Sequence, residues 1–349
     1  MLIEINFKIV SNRMTNQPII HQTPSSIYLT DSNRITSCIN ICTHRMSIVA
    51  EAPGFIQVFS DGSVKRFAPE TAAASLISTG GYESKDVTID SSKPITARIF
   101  RPDDHVSEMP VLVYFHGGGF CIGSTAWLGY HVFLGNLAAT AKTIVLSVDY
   151  RMAPENKLPT AYEDCYSALE WLGTSSKADP WLRHADISRV FLCGDSAGGN
   201  IAHHVTIKAI KNKIHGLTVK GLVPIHPFFG SERRTELELA EGSGSEVAMN
   251  DMFWRLSLPE GTDRDFYGCN FEKVEAEWSL FPAVLVFVSG LDFLKERGVM
   301  YAEFMKKKGV NEVKLIEAKG EVHVFHVWFP ESEGTFVLQK QIFDFIRSL

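Results

Sequence analysis

Ser196 stands between two glycines in Gly194-Asp195-Ser196-Ala197-Gly198, and that spacing points to nucleophilic chemistry. The segment follows an apolar run, Val190–Cys193, and precedes a helix-like stretch. A strand-to-helix turn that sharp leaves no room for side chains beside the serine, so glycine is needed on either side. The helix N-terminus that follows offers backbone N–H groups, Ala197's among them, to a developing oxyanion. A second glycine loop, His116-Gly117-Gly118-Gly119-Phe120, directly follows the apolar run Val111–Phe115. Without side chains, such a loop brings its backbone close to a ligand and can point N–H groups at an anion. It lacks the Gly-Lys-Ser/Thr and Gly-x-Gly-x-x-Gly patterns of phosphate loops. Placed opposite the elbow, Gly117, Gly118, Gly119 and Ala197 are the candidate oxyanion hole. His116 is expected to fix the loop rather than to react.

A serine hydroxyl needs a base and an acid that orients the base. Downstream of Ser196, an apolar strand ends at Gly290-Leu291-Asp292, which makes Asp292 the acid candidate. Glu296, one helical turn later, reads as a solvated surface group. The next strand, Val313–Glu317, is followed by Gly320-Glu321-Val322-His323-Val324-Phe325-His326. His323 lies nearer the strand end and is preferred to His326 as the base. The two histidines lack an acidic partner at metal-ligand spacing, so no metal and no organic cofactor are implied. His203 and His204 read as packing residues. Trp127, Tyr130, Phe228, Phe229, Phe253, Trp254 and Phe266 read mostly as core, with some left to line an apolar pocket.

These residues need one sheet to gather them. Unbroken apolar runs at Val111–Phe115, Thr143–Val148, Val190–Cys193, Val219–Ile225 and Ala283–Val288 suit strands buried on both faces, as in a parallel sheet. Helix-like stretches alternate with them: Val132–Ala139, Ala161–Leu172, Ala197–Lys211, Gly298–Lys308 and Gly334–Ser348. The alternation implies an α/β, doubly wound sheet. Ser84–Asp90 and Ile95–Arg101 read as early strands, and Phe55–Phe59 with Ser63–Phe67 as a hairpin turning at Asp61-Gly62. Residues 230–280 break the alternation, and an insertion or cap fits there, with an aromatic helix near Met252–Leu258.

The chain has 349 residues and a formal net charge of −6, too mildly acidic for a nucleic-acid surface. Its hydrophobic fraction of 45% and charged fraction of 21% exclude a disordered chain and a coiled coil. No apolar window is long enough to span a membrane. The six cysteines form no zinc pattern, and no Asn-x-Ser/Thr sequon occurs, which suits reduced thiols in a cytoplasmic protein. Residues 1–45 are Ser-rich and slightly basic, without sustained periodicity. They read as a poorly ordered extension upstream of Met46 rather than a transit leader. Residues 46–349 are then one catalytic domain with a cap.

With these motifs placed, the chain resembles the plant carboxylesterases of the hormone-sensitive-lipase-like α/β-hydrolases. The resemblance runs from about Pro53 to Leu349. It is carried by His116–Phe120, Asp149-Tyr150-Arg151-Met152-Ala153-Pro154-Glu155, Pro159–Asp164, Gly194–Asn200, Asp292 and His323. It implies an α/β-hydrolase fold: a mostly parallel sheet, antiparallel N-terminal strands and a helical cap, part of it N-terminal, over the site. It implies Ser196 as nucleophile, His323 as base, Asp292 as orienter, and Gly118, Gly119 and Ala197 as oxyanion donors with Gly117 in the same loop. The Asp149–Glu155 stretch would brace the elbow and the strand before it. The partner implied is a small, largely apolar ester, acted on by a monomer or homodimer. Gibberellin receptors resemble the chain but lack the histidine that His323 supplies. The 2-hydroxyisoflavanone dehydratases also resemble it, several with threonine in place of Ser196. A lyase and a non-hydrolytic receptor are therefore the alternatives to an esterase.

Overall fold

The computed structural model describes residues 46–104 and 108–349, and the extension expected over residues 1–45 lies outside them. Contacts divide the chain into two compact units between Phe67 and Ala68. In the first, β1 (Ile48–Ala52), β2 (Ile56–Phe59) and β3 (Val64–Arg66) form an antiparallel sheet in that order. The expected hairpin is β2–β3, turning through Gly62 at φ 85°. β1 was not foreseen, because its five residues are mostly exposed and carry no clean alternation.

The second unit holds an eight-stranded sheet and the helices between its strands. The strands are β4 (Tyr82–Asp90), β5 (Ile95–Pro102), β6 (Met109–Phe115), β7 (Ile144–Asp149), β8 (Ala185–Asp195), β9 (Val219–Ile225), β10 (Ala283–Ser289) and β11 (Val313–Ala318). Their spatial order is β11-β10-β9-β8-β6-β7-β5-β4. The pairs β4–β5 and β5–β7 are antiparallel, and every other pairing is parallel. Helices α1 (Leu128–Ala141), α2 (Thr160–Ser175) and α3 (Ala197–Lys211) follow β6, β7 and β8. The long β9–β10 connection carries α4 (Glu236–Leu239) and α5 (Gly244–Ser257). Helix α6 (Lys295–Lys307) joins β10 to β11, and α7 (Phe325–Trp328) and α8 (Glu333–Ser348) end the chain.

The parallel strands behave as their composition requires. Every residue of β6 is buried, while β11, at the sheet edge, is half exposed. Parallel strands end at one edge of the sheet, and loops leaving that edge converge. The elbow leaves β8 there, the triple-glycine loop leaves β6, Asp292 follows β10 and His323 follows β11.

The β9–β10 connection is the insertion expected at residues 230–280. Its helix α5 starts eight residues before the expected Met252, because Gly244, Ser245 and Asn250 are poor helix formers and hide its first turns. The insertion is fastened by a buried ion pair. Arg297 on α6 donates from Nε and Nη2 to both oxygens of Glu238 at 2.8 Å, and from Nη1 to Ser231 Oγ at 3.0 Å. Glu238 and Thr235 also form a capping box at the start of α4.

Candidate active site

Ser196 sits at φ 52° and ψ −118°, outside the regions a serine ordinarily occupies. Such strain costs about 1–3 kcal/mol and persists only where its surroundings enforce it. The Ser196 N–H donates to the Ile225 carbonyl at 2.9 Å, and its own carbonyl accepts from the Phe228 N–H at 2.9 Å. A β-carbon on Gly198 would strike the Phe115 carbonyl, and one on Gly194 would strike the Gly198 backbone. The two glycines are thus set by contact, as the sharp turn requires.

The structure brings the three sequence-derived partners together. Ser196 Oγ lies 3.0 Å from His323 Nε2, and His323 Nδ1 lies 2.6 Å from Asp292 Oδ2. Asp292 also accepts from the Leu294 N–H at 2.9 Å, which fixes the carboxylate. Burial alone would lower the imidazole's pKa, but the Asp292 carboxylate outweighs it and raises His323 above 6.5. Burial opposes ionisation of Asp292 too, and the imidazole prevails, holding that carboxyl below its ordinary value. Both shifts favour an ionised Asp292 on an imidazole that readily takes a proton.

His326 is elsewhere. It is fully buried, its Nε2 lies 3.3 Å from Tyr114 Oη, and burial lowers its pKa to about 3. Glu296 is not the solvated group its position suggested. It accepts from the Leu237 N–H at 2.8 Å and helps fasten α4, because the insertion folds back onto α6. His203 and His204 are buried packing residues: His203 meets Tyr301 Oη at 3.0 Å, and His204 stacks on Tyr162. Phe228 and Trp254 stack with ring centres 4.4 Å apart in the core, whereas the Phe253 ring lies against Gly119.

The glycine loop divides its labour. Gly118 and Gly119 take φ 103° and 57°, in the left-handed region that favours glycine. Among the described residues, no acceptor takes the N–H groups of Gly118, Gly119 or Ala197. Gly117 differs from the two glycines that follow it and is not an oxyanion donor. Its N–H donates to Asp195 Oδ1 at 3.0 Å and to Tyr130 Oη at 2.9 Å, so it holds the loop and is not free for an oxyanion. His116 fixes the loop as expected, donating from Nδ1 to the Gly117 carbonyl at 2.8 Å and stacking on Tyr150. The Asp149–Glu155 stretch also braces this loop, rather than the elbow. Tyr150 Oη donates to the His116 carbonyl, and the Ala153 N–H donates to the Phe120 carbonyl, both at 2.9 Å. Arg151 in turn grips Asp164 of α2 through two side-chain bonds, at 2.9 and 2.7 Å.

Two contributors were missed by sequence reasoning. Asp195, the variable residue of the elbow, is buried and accepts from Tyr114 Oη at 2.7 Å and Tyr130 Oη at 2.9 Å, as well as from Gly117. Burial raises its pKa and those donors oppose the rise. His226, just past β9, has φ 46°; its Nδ1 accepts from the Val324 N–H at 3.0 Å and its Nε2 lies 2.8 Å from Ser289 Oγ. It thereby ties the His323 loop to the end of β10. His226, Asp292 and His323 bring potential ligand atoms within 4.8 Å of one another, but these hydrogen bonds already engage all three side chains. Sequence spacing carried no signal for either residue, since their partners lie on other strands.

Known proteins resemble this chain in sequence and fold. The sequence profile of the alpha/beta hydrolase fold matches residues 112–327. Probable carboxylesterase 6 of Arabidopsis thaliana is 37% identical over 289 residues, covering 80% of this chain and 85% of that one. The chain belongs to the plant carboxylesterase family of α/β-hydrolases. Within the family, the 2-hydroxyisoflavanone dehydratase of Glycyrrhiza echinata is 32% identical, covering 87% of this chain and 98% of its own. Among solved structures, an esterase from Pyrobaculum calidifontis superposes with a TM-score of 0.66 at 32% identity, over 76% of this chain and 85% of that chain. Among the described residues, no helix is long and apolar enough to cross a membrane.

Proposed function

We propose that this protein is a carboxylesterase that hydrolyses small, largely apolar esters through Ser196, His323 and Asp292. The observation that carries the reading is the hydrogen-bonded chain from Asp292 through His323 to Ser196 Oγ. His323 takes the serine proton as Oγ attacks the ester carbonyl. Asp292 holds the imidazole with Nε2 toward the serine and stabilises the imidazolium. The N–H groups of Gly118, Gly119 and Ala197 receive the charge that develops on the carbonyl oxygen, and one such donor is worth about 2.7–4 kcal/mol. His323 returns the proton to the leaving alcohol oxygen. Water, deprotonated by the same imidazole, then cleaves the acyl-enzyme and frees the acid and Ser196.

The carboxylesterase and esterase relatives support this chemistry. The dehydratase relative keeps a lyase as the second reading, in which no acyl-enzyme forms. Fluorophosphonate labelling and short p-nitrophenyl ester turnover separate the two. The esterase reading expects label on Ser196, and Ser196→Ala folded but inactive. Undiminished turnover in Ser196→Ala would sink it. Within this reading the enzyme is a cytoplasmic monomer or homodimer, with its buried Cys121, Cys165, Cys193 and Cys269 thiols reduced. Imaging of a fluorescent fusion and sedimentation test these two points.

A further inference from the structure

Helix α5 touches the oxyanion loop at two points one helical turn apart. The Phe253 ring covers Gly119, since a β-carbon there would lie 2.6 Å from Phe253 Cγ. Ser257, on the next turn of the same face, donates from Oγ to the Gly119 carbonyl at 3.1 Å. That hydroxyl also reaches the Phe253 carbonyl of its own helix at 2.7 Å, so helix and loop meet on one atom. Ser257 and Gly119 are both buried, so water cannot stand in for the bond. The end of α5 is itself held, because the Ser257 carbonyl accepts from the Leu158 N–H at 2.9 Å.

The carbonyls before Gly119 are anchored close at hand. That of Gly117 accepts from His116 Nδ1, and that of Gly118 accepts from the N–H groups of Cys121 and Ile122, both at 3.0 Å. A trans peptide is planar and points its N–H opposite its C=O. Anchoring these two carbonyls therefore aims the N–H groups of Gly118 and Gly119. The Gly119–Phe120 peptide is the next plane, and among the described residues only Ser257 donates to its carbonyl. Gly119 has no β-carbon to restrict its torsions, so the planes on either side must fix them. Released from Ser257, the second plane can turn and the Gly119 N–H drifts with it. We propose that Ser257 is a positioning residue of the oxyanion hole, through which the insertion sets the aim of the Gly119 N–H. This deepens the esterase reading and rests on it.

The test compares full-length wild type, Ser257→Ala and Ser257→Thr. Turnover of p-nitrophenyl acetate gives kcat and KM. Benzyl trifluoromethyl ketone reads the oxyanion hole directly. Ser196 Oγ adds to its carbonyl carbon, the serine proton passes to His323, and the carbonyl oxygen takes the negative charge. The alcohol made by reducing that ketone binds without forming an oxyanion. Ser257→Ala is expected to lose roughly tenfold in kcat, with KM changed by less than about twofold. It is expected to bind the ketone about tenfold more weakly and the alcohol as wild type does. Ser257→Thr keeps the hydroxyl and is expected to retain more kcat than Ser257→Ala. Wild-type kcat in Ser257→Ala overturns the proposal. So does equal weakening of ketone and alcohol, which a general loosening of the fold would produce. Either result leaves the esterase reading intact. Wild type that turns over no ester and takes no fluorophosphonate label overturns that reading, and this proposal with it.

Discussion

Asp195 Oδ1 accepts a 3.0 Å hydrogen bond from the Gly117 N–H, so the residue beside the nucleophile also carries the oxyanion loop. Tyr114 and Tyr130 complete its shell of donors. The elbow after β8 and the loop after β6 are therefore fixed to each other through one buried carboxylate. A change at Asp195 moves the donors relative to Ser196 without touching either.

Asp195→Asn tests that coupling. The amide keeps one acceptor oxygen and turns the other oxygen into a donor, which faces a tyrosine hydroxyl or the Gly117 N–H. A misplacement on the order of 1 Å in such a site can cost about 10²-fold in rate. The variant is expected to lose about that factor in kcat on a short ester while keeping native circular dichroism. Wild-type kcat would show that the loop is held by other means.

The pH dependence follows from the His323–Asp292 pair. The base must be neutral, and His323 titrates above 6.5 because Asp292 outweighs the effect of burial. Activity is lost as pH falls through that raised value, so the acid limb of kcat/KM is expected above pH 6.5. Asp292→Asn removes the raising charge and leaves burial. Its acid limb is expected below about pH 6.5, with kcat lower by roughly 10⁴-fold. A limb that stays in place in Asp292→Asn would break the link between this pair and the rate.

His326, one of several buried neutral histidines, contributes to acid stability instead. Its imidazole is neutral in the fold down to about pH 3, but in the unfolded chain it takes a proton below about 6.5. The unfolded state then binds more protons, so stability falls as pH drops through that window. From about pH 7 to about pH 5 this one group accounts for a loss of about 2 kcal/mol. Urea unfolding at both pH values is expected to show His326→Gln losing less than wild type by about that amount. An equal loss in both proteins would mean that His326 protonates without unfolding.

Much of this was legible in the chain. The strand runs and the two glycine loops work through local backbone requirements: apolar faces, sharp turns and close approach. Ser196, Asp292 and His323 could be placed because each follows a strand end. What was not legible depends on pairing across the sheet. Gly117 looks like its two neighbours in sequence, yet Asp195 and Tyr130 take its N–H. Glu296 looks solvated until the insertion folds back and Leu237 reaches it. His226 is separated from Val324 by 98 positions, and only the β9–β10–β11 order brings them together.

His226 offers the sharpest check on that last point, because its two ring nitrogens have separate duties. Nδ1 accepts from Val324 and so must be unprotonated, which leaves the proton on Nε2 to donate to Ser289. Burial keeps the ring neutral. In His226→Asn, the side-chain oxygen can occupy the Nδ1 position and keep the bond to the loop behind His323. In His226→Gln, the longer side chain reaches toward Ser289 and abandons Val324. If the loop bond positions the base, His226→Asn retains more kcat than His226→Gln, with KM for a short ester similar in both. Losing one buried bond of this kind costs about 1–3 kcal/mol, so the gap is expected to be about tenfold or more. The reverse order, with His226→Gln the faster, would assign the positioning to Ser289 instead.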